Sequence, residues 1–299
     1  MIPDTFAYYP GCTLHSTEKE YDVSARLVCA KLGLKLQELE DWTCCGASSA
    51  HTINELLSIA LPARDLQKAE KMGLPIVAAC ALCFSRLKHA AHALIDKEKL
   101  DLINNLLGNE FHNTTEVFHL LKVLYEKRDA ITPSRPLGSL KIACYYGCLL
   151  VRPREIVDLD DVEDPQIMDR LMERLGAVTV DWGFKTECCG ASLPITKPEM
   201  VLKLSHRILS QAKQAGADCV AVACPMCHNN LDAYQKDMKK KYSDEFELPV
   251  LYFTQLVGLA LGFSPKQLLL DKHFTSPLPM LRDKGLADEG IAIAEVSHG

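Results

Sequence analysis

At 299 residues, 48% hydrophobic and 24% charged, the chain has a globular composition and is long enough for two domains of ordinary size, each with its own core. A formal net charge of -6 argues against nucleic acid as the main partner, because phosphate binding needs a basic field. The longest apolar stretch, Leu251 to Phe263, is broken by Thr254, Gln255 and two glycines and falls short of the roughly 20 residues that span a bilayer.

The chain opens Met1-Ile2-Pro3-Asp4, without a charged-then-apolar leader, so an unexported, cytoplasmic protein is expected. In that reducing compartment, thirteen cysteines point to metal or redox chemistry rather than to a disulfide framework. Phe6 to Tyr9 reads as a strand ending at Pro10-Gly11, which puts Cys12 just past a strand end. Glu18 to Leu32 has helical apolar spacing and stops at Gly33, and Leu34 to Leu39 alternates like a strand that leads into Cys44-Cys45-Gly46. Thr52 to Met72 reads as a helix kinked or restarted near Pro62 and closed by Gly73. Pro75 to Ala79 is an apolar strand running into Cys80-Ala81-Leu82-Cys83 at the start of a helix, where free N–H groups and the helix dipole favour thiolate. Asp101 to Lys127, including Val117 to Tyr125, is expected to be further helix, and Thr132 to Ser139 to be the linker.

The second half repeats the order. Strand Lys141 to Ala143 leads to Cys148, an Arg/Asp-rich loop, helix Asp164 to Leu175 and strand Val178 to Val180. Cys188-Cys189-Gly190, helix Pro198 to Ala215, strand Cys219 to Ala223 and Cys224-Pro225-Met226-Cys227 follow, with a helix to about Lys241. Lys236 to Lys241 reads as a solvated helix face, and Phe118 to Leu121 is matched with Phe253 to Leu256. The expectation is α/β: two homologous Rossmann-like units, each a small, mostly parallel sheet flanked by helices, over residues 1–135 and 140–270. Residues 271–299 form a Pro-rich tail, acidic near Asp288-Glu289, with no evident core pattern, suited to docking or irregular structure.

The cysteines carry the repeat. Between Cys12 and Cys44-Cys45 lie 31 residues, and between Cys148 and Cys188-Cys189 lie 39; 34 residues separate each vicinal pair from the Cys-x-x-Cys that follows it. Asp-Trp precedes each pair, with four extra residues in the second copy, and a Tyr-Tyr precedes each outer cysteine. A structural zinc takes four ligands, as does an ordinary cubane cluster, so five cysteines per half exceed both. Adjacent cysteines diverge and suit two metal atoms of one cluster rather than one iron. Soft thiolates leave iron–sulfur or zinc; the count favours an iron–sulfur cluster in each half, with zinc in one half as the alternative.

On both cysteine sets, on Cys144-Tyr145-Tyr146-Gly147-Cys148 followed by Leu149 to Pro153, and on Cys224-Pro225-Met226-Cys227-His228-Asn229-Asn230-Leu231-Asp232, the chain resembles the Cys-Cys-Gly family, and along nearly its whole length the B subunit of heterodisulfide reductase. The resemblance implies two noncubane [4Fe-4S] clusters facing a cavity where a disulfide, such as the coenzyme M–coenzyme B heterodisulfide, is split into two thiols, or the reverse. By position the ligands are Cys12, Cys44, Cys45, Cys80 and Cys83, then Cys148, Cys188, Cys189, Cys224 and Cys227. It also implies the ferredoxin-like C and flavin-containing A subunits of such complexes as partners. Electrons have to be delivered by partners, since the chain has no G-x-G-x-x-G, Walker A or ferredoxin cysteine run.

Cys29, Cys144 and Cys219 read as small core residues, Cys144 being the one that competes as a ligand. His15, His51 and His228 stand near ligands; His228 and then His15 are the candidate proton donors to a leaving thiolate, and the first repeat has Phe84 where the second has His228. Disulfide reduction takes two electrons, which two clusters match. The alternatives are a Cys-Cys-Gly electron-relay subunit of a lactate, glycolate or succinate-type dehydrogenase, and a sulfur-oxidising heterodisulfide-reductase-like complex working on a protein-bound persulfide.

Overall fold

The computed structural model describes residues 2–47, 50–243 and 247–287. In the first repeat, β1 (Thr5–Tyr9) leads into α1 (Gly11–His15) and α2 (Lys19–Lys31), then β2 (Lys35–Glu38), α3 (Ala50–Ile53), α4 (Glu55–Met72), β3 (Ile76–Ala78), α5 (Ala81–Ala93), α6 (Lys97–Leu107), β4 (Val117–His119) and α7 (Leu120–Glu126). The second repeat runs β5 (Lys141–Tyr145), α8 (Arg154–Val157), α9 (Ile167–Arg174), β6 (Val178–Thr179), α10 (Pro198–Gln214), β7 (Cys219–Val222), α11 (Pro225–Asp232), α12 (Gln235–Tyr242), β8 (Val250–Tyr252) and α13 (Phe253–Ala260), and α14 (Leu278–Asp283) follows.

Each repeat builds a four-stranded parallel sheet in the same order, β2-β1-β3-β4 and β6-β5-β7-β8. Strands buried on both faces read as short apolar runs: every residue of β3 (Ile76, Val77, Ala78) and of β7 (Cys219 to Val222) is buried. Chain order reverses between β1 and β3 and again between β5 and β7, and loops leaving the carboxyl ends at such a switch point form a crevice.

Several expectations shift in place. The long helix after Cys44-Cys45 restarts at Asn54, whose extended backbone (φ -153°) and side chain cap α4 by accepting the Leu57 N–H, so Pro62 lies inside an unbroken helix. Val117 to His119 is a strand rather than helix, because a three-residue apolar run has no period to declare itself and its pairing with Ile76 to Ala78 decides. That register makes Val117 and His119 the counterparts of Val250 and Tyr252, two residues out of step with the match of Phe118 to Phe253. Cys12 sits within α1, and the helix expected to reach Lys241 breaks between α11 and α12. Residues 131–140 hold no helix or strand, with Ile131, Leu137 and Leu140 buried, and Lys236, Lys239, Lys240 and Lys241 are exposed on α12. Residues 271–287 pack on the second repeat through Leu278, Leu281 and Leu286; Asp288 and Glu289 lie outside the described residues.

The repeats meet through α2 and α13. Tyr21 stacks on Tyr252 with ring centres 3.9 Å apart, and Ser24 shares a 2.7 Å hydrogen bond with Thr254. Tyr252 donates its hydroxyl proton to Glu18 at 2.6 Å.

Candidate metal centre

All ten cysteines of the two sets emerge at the carboxyl ends of strands. Cys12 follows β1, Cys44 and Cys45 follow β2, and Cys80 and Cys83 follow β3; Cys148, Cys188, Cys189, Cys224 and Cys227 take the matching places around β5, β6 and β7. Cys80 and Cys224 are the N-cap residues of α5 and α11, where unpaired N–H groups favour negative sulfur.

The sulfurs converge. Cys12 and Cys44 lie 3.9 Å apart, Cys45 and Cys83 3.4 Å, and Cys189 and Cys227 3.5 Å. Cys148 contacts Cys188, Cys80 contacts Cys83, and Cys224 contacts Cys227. Cys80 and Cys224, on opposite sides of the repeat boundary, are near enough to perturb one another's thiols, Cys80 raised and Cys224 lowered. Hydrogen bonding from Cys148, helped by the Gly190 and Ala191 N–H groups, draws the Cys188 thiol down to about 6. Cys227 and then Cys80 do the same for Cys224, which falls well below the usual thiol range.

Two glycines make room for this packing. A side chain on Gly11 would stand 2.9 Å from Cys83 Sγ, and one on Gly147 would stand 3.2 Å from Cys227 Sγ; both residues have positive φ, +73° and +68°. Beneath each set a buried tyrosine holds the vicinal-cysteine loop. Tyr9 donates to the Thr43 carbonyl at 2.7 Å and Tyr145 to the Glu187 carbonyl at 2.6 Å, each just before a cysteine pair. The counterparts are thus Tyr9 and Tyr145, each three residues before an outer cysteine; the Tyr-Tyr pairs signalled them, although the pairs themselves are offset by one. A cavity of about 70 Å³ is lined by all five cysteines of the first set together with Ala191, Ser192 and Met226 from the second repeat.

The three remaining cysteines are buried in α2, β5 and β7, and burial pushes the Cys29 thiol up to about 12 and raises Cys144 and Cys219 as well. His15, three residues on from Cys12, is largely exposed, packs edge-on to Trp42 and lies 3.0 Å from Glu38. His51 is exposed on α3. His228 is buried at the repeat boundary, with Nδ1 3.0 Å from Glu18 Oε2, Nε2 2.9 Å from His273 Nδ1, and its ring stacked on Tyr252. Burial alone would lower His228 and raise Glu18; their pairing reverses both, holding the imidazole above and the carboxyl below its usual range. Glu18 and Glu20, both buried, had no signal in the sequence: nothing in a helix start says that its carboxylates will face another domain.

Five thiols per half, glycines cut away behind the sulfurs and a thiol-lined cavity fit a thiolate-held inorganic cluster. A doubled parallel α/β unit that pools cysteines at its switch points defines a cysteine-rich repeat protein. The chain belongs to the cysteine-rich domain (CCG) family, which it matches over residues 6–88 and 142–232. It is 35% identical, over 90% of its length and 96% of the relative's, to the 8-methylmenaquinol:fumarate reductase membrane anchor subunit of Wolinella succinogenes. It is 31% identical to the B subunit of the Ferredoxin/F(420)H(2)-dependent CoB-CoM heterodisulfide reductase of Methanosarcina acetivorans, over 89% of this chain and 92% of that one. The B subunit of the Ferredoxin:CoB-CoM heterodisulfide reductase of Methanosarcina mazei is 30% identical over 91% and 94%. Among solved structures, a hypothetical protein from Helicobacter pylori shares the fold with a TM-score of 0.77 at 17% identity, covering 92% of this chain, which spans 53% of that one. No helix among the described residues is long and apolar enough to cross a membrane.

Proposed function

We propose that the chain is the iron–sulfur subunit of a multi-subunit oxidoreductase that splits a disulfide into two thiols, or runs the reverse, with Cys12, Cys44, Cys45, Cys80 and Cys83 holding one [4Fe-4S] cluster of noncubane type and Cys148, Cys188, Cys189, Cys224 and Cys227 a second. The observation that carries this is the cavity that all five thiols of the first set share with Ala191, Ser192 and Met226 of the second repeat, because it brings the first set and the loops of the second to one small space. Such clusters, when bound, supply electrons singly, and the reaction R–S–S–R′ + 2e⁻ + 2H⁺ → RSH + R′SH takes one from each. The chain's own residues orient and shield. Ala191, Ser192 and Met226 roof the first set, Tyr9 and Tyr145 hold the two vicinal loops, and His15, exposed three residues on from Cys12, is the candidate to pass a proton toward sulfur leaving the first set. His228, tied to Glu18, is the buried counterpart on the second side. Ferredoxin-like and flavin-containing subunits are the proposed electron partners.

A second reading is favoured by the fumarate reductase relative, at 35% identity: the same two centres then relay electrons between a donor and a dehydrogenase partner without meeting a disulfide. Iron and acid-labile sulfide analysis of anoxically prepared protein, with EPR before and after a thiol is added, tests the cluster assignment. Stoichiometric zinc without sulfide overturns it. Reduction of a small disulfide by the purified protein with a chemical reductant supports disulfide chemistry, and a loaded protein inert to disulfides and unperturbed by thiols leaves the relay.

A further inference from the structure

The second repeat roofs a groove that the first leaves open. Residues 273–275 lie across α11 beside the free side of β8: His273 Nδ1 sits 2.9 Å from His228 Nε2, which also lies 3.1 Å from the Val250 carbonyl. The Asp232 carboxylate accepts two successive backbone N–H groups, from Phe274 at 2.7 Å and Thr275 at 3.0 Å. Counted from the paired Cys-x-x-Cys motifs, His228 and Asp232 correspond to Phe84 and Lys88, and sheet register makes Val250 correspond to Val117. Phe84, Lys88 and Val117 all line one cavity of about 550 Å³, which continues over Phe118 and, from the second repeat, Glu155 and Ile156. Residues 155–159 of the second repeat form one wall of this cavity, but among the described residues none makes a hydrogen bond or ion pair to Lys88 as Phe274 and Thr275 do to Asp232.

Two features say what would fill it. β4 is the outer strand of its sheet, so the side turned away from β3 has no strand partner, and such an edge is a template for an added extended chain. Lys88 reverses the charge of its counterpart Asp232, is half-buried, and forms no ion pair or hydrogen bond among the described residues. A carboxylate in that place grips N–H groups; an ammonium grips carbonyls or an acidic side chain.

We propose that this groove receives an extended, acid-bearing segment of a partner subunit, running beside β4 with apolar side chains on Phe84 and Phe118 and a carboxylate on Lys88. This rests on the chain being one subunit of a complex, and not on the cluster type or the reaction. A cavity of this size also suits a small molecule, but the twin groove is filled by polypeptide, and the basic residue stands where that polypeptide is gripped.

The test uses the complex isolated anoxically through a tag on this chain. Ile95, 75% exposed and on the cavity wall, is replaced by a photoreactive residue (Ile95→p-benzoylphenylalanine), and adducts are mapped by mass spectrometry in the Lys88 background and with Lys88→Glu. The expected result is one partner subunit, cross-linked within an acidic stretch, with the adduct falling at least ten-fold in Lys88→Glu while iron content stays unchanged. Adducts to residues 288–299 of this chain, to a second copy or to no polypeptide overturn the proposal, as does an adduct indifferent to Lys88→Glu. Iron content is compared only between the two backgrounds, so the absence of iron from both would sink the cluster assignment and leave the adduct result standing.

Discussion

Gly11 and Gly147 mark how closely backbone and sulfur approach at each centre. Because a methyl group on Gly11 meets Cys83 Sγ at 2.9 Å, on a backbone with φ +73° that already disfavours alanine, Gly11→Ala is expected to displace Cys83. The measurement is iron per chain, which should fall by about half if each set holds one four-iron group, while Gly33→Ala, with open space around its Cβ, keeps full iron. A buried carboxyl also separates the two centres. Asp65 accepts the Thr43 N–H at 2.8 Å beside the first vicinal pair, and the equivalent position after the second pair is Leu209. Burial pushes Asp65 up to about 7, against only partial help from Thr43. A raised carboxyl keeps its proton in the folded chain while the unfolded chain releases it near pH 4, so its contribution is full below about pH 4 and lost as pH rises through 7. Cys188, drawn down to about 6, acts in the opposite direction, so the informative quantity is a difference. The thermal stability of wild type minus that of Asp65→Asn is expected to fall between pH 5 and 8; a difference flat with pH would remove Asp65 from the titrating groups.

Among the elements, α2 and α13 decide how the two sulfur sets face each other. Neither helix advertises this: each has an apolar stripe that any core would accept, and the ring stack of Tyr21 on Tyr252 and the Ser24 to Thr254 bond link residues 230 positions apart or more. Tyr252→Phe keeps the stack and removes one hydrogen bond to the buried Glu18 carboxylate, which is expected to cost about 1.5–3 kcal/mol in anoxic denaturant unfolding. A cost near zero would mean that Glu18 is served by His228 alone. The strands show the same limit on local information. β1, β2, β3 and β5 to β7 were legible because each lies beside a turn residue or a cysteine motif that the repeat marks, whereas Val117 to His119 and Val250 to Tyr252 run into a helix with no such marker and acquire their identity only by pairing with β3 and β7.

For the molecule as a whole, the prediction is set by pairing of the centres across Cys80 and Cys224. If both take part in each turnover, Cys188→Ala, which leaves the first set intact, is expected to abolish disulfide turnover rather than halve it. Half-rate turnover would show two independent centres. The sequence alone determined the duplication, the α/β class and the two groups of five thiols, because spacing along a repeated unit survives as spacing in the chain and strands alternating with helices write their periods locally. Only the tertiary structure decided that the first sulfur set opens onto residues of the second repeat, that His228 turns to Glu18 in the other repeat, and that one groove is roofed while its twin lies open. Those facts depend on which apolar faces pack together, and contacts between residues more than 200 positions apart have no period, motif or cap to announce them.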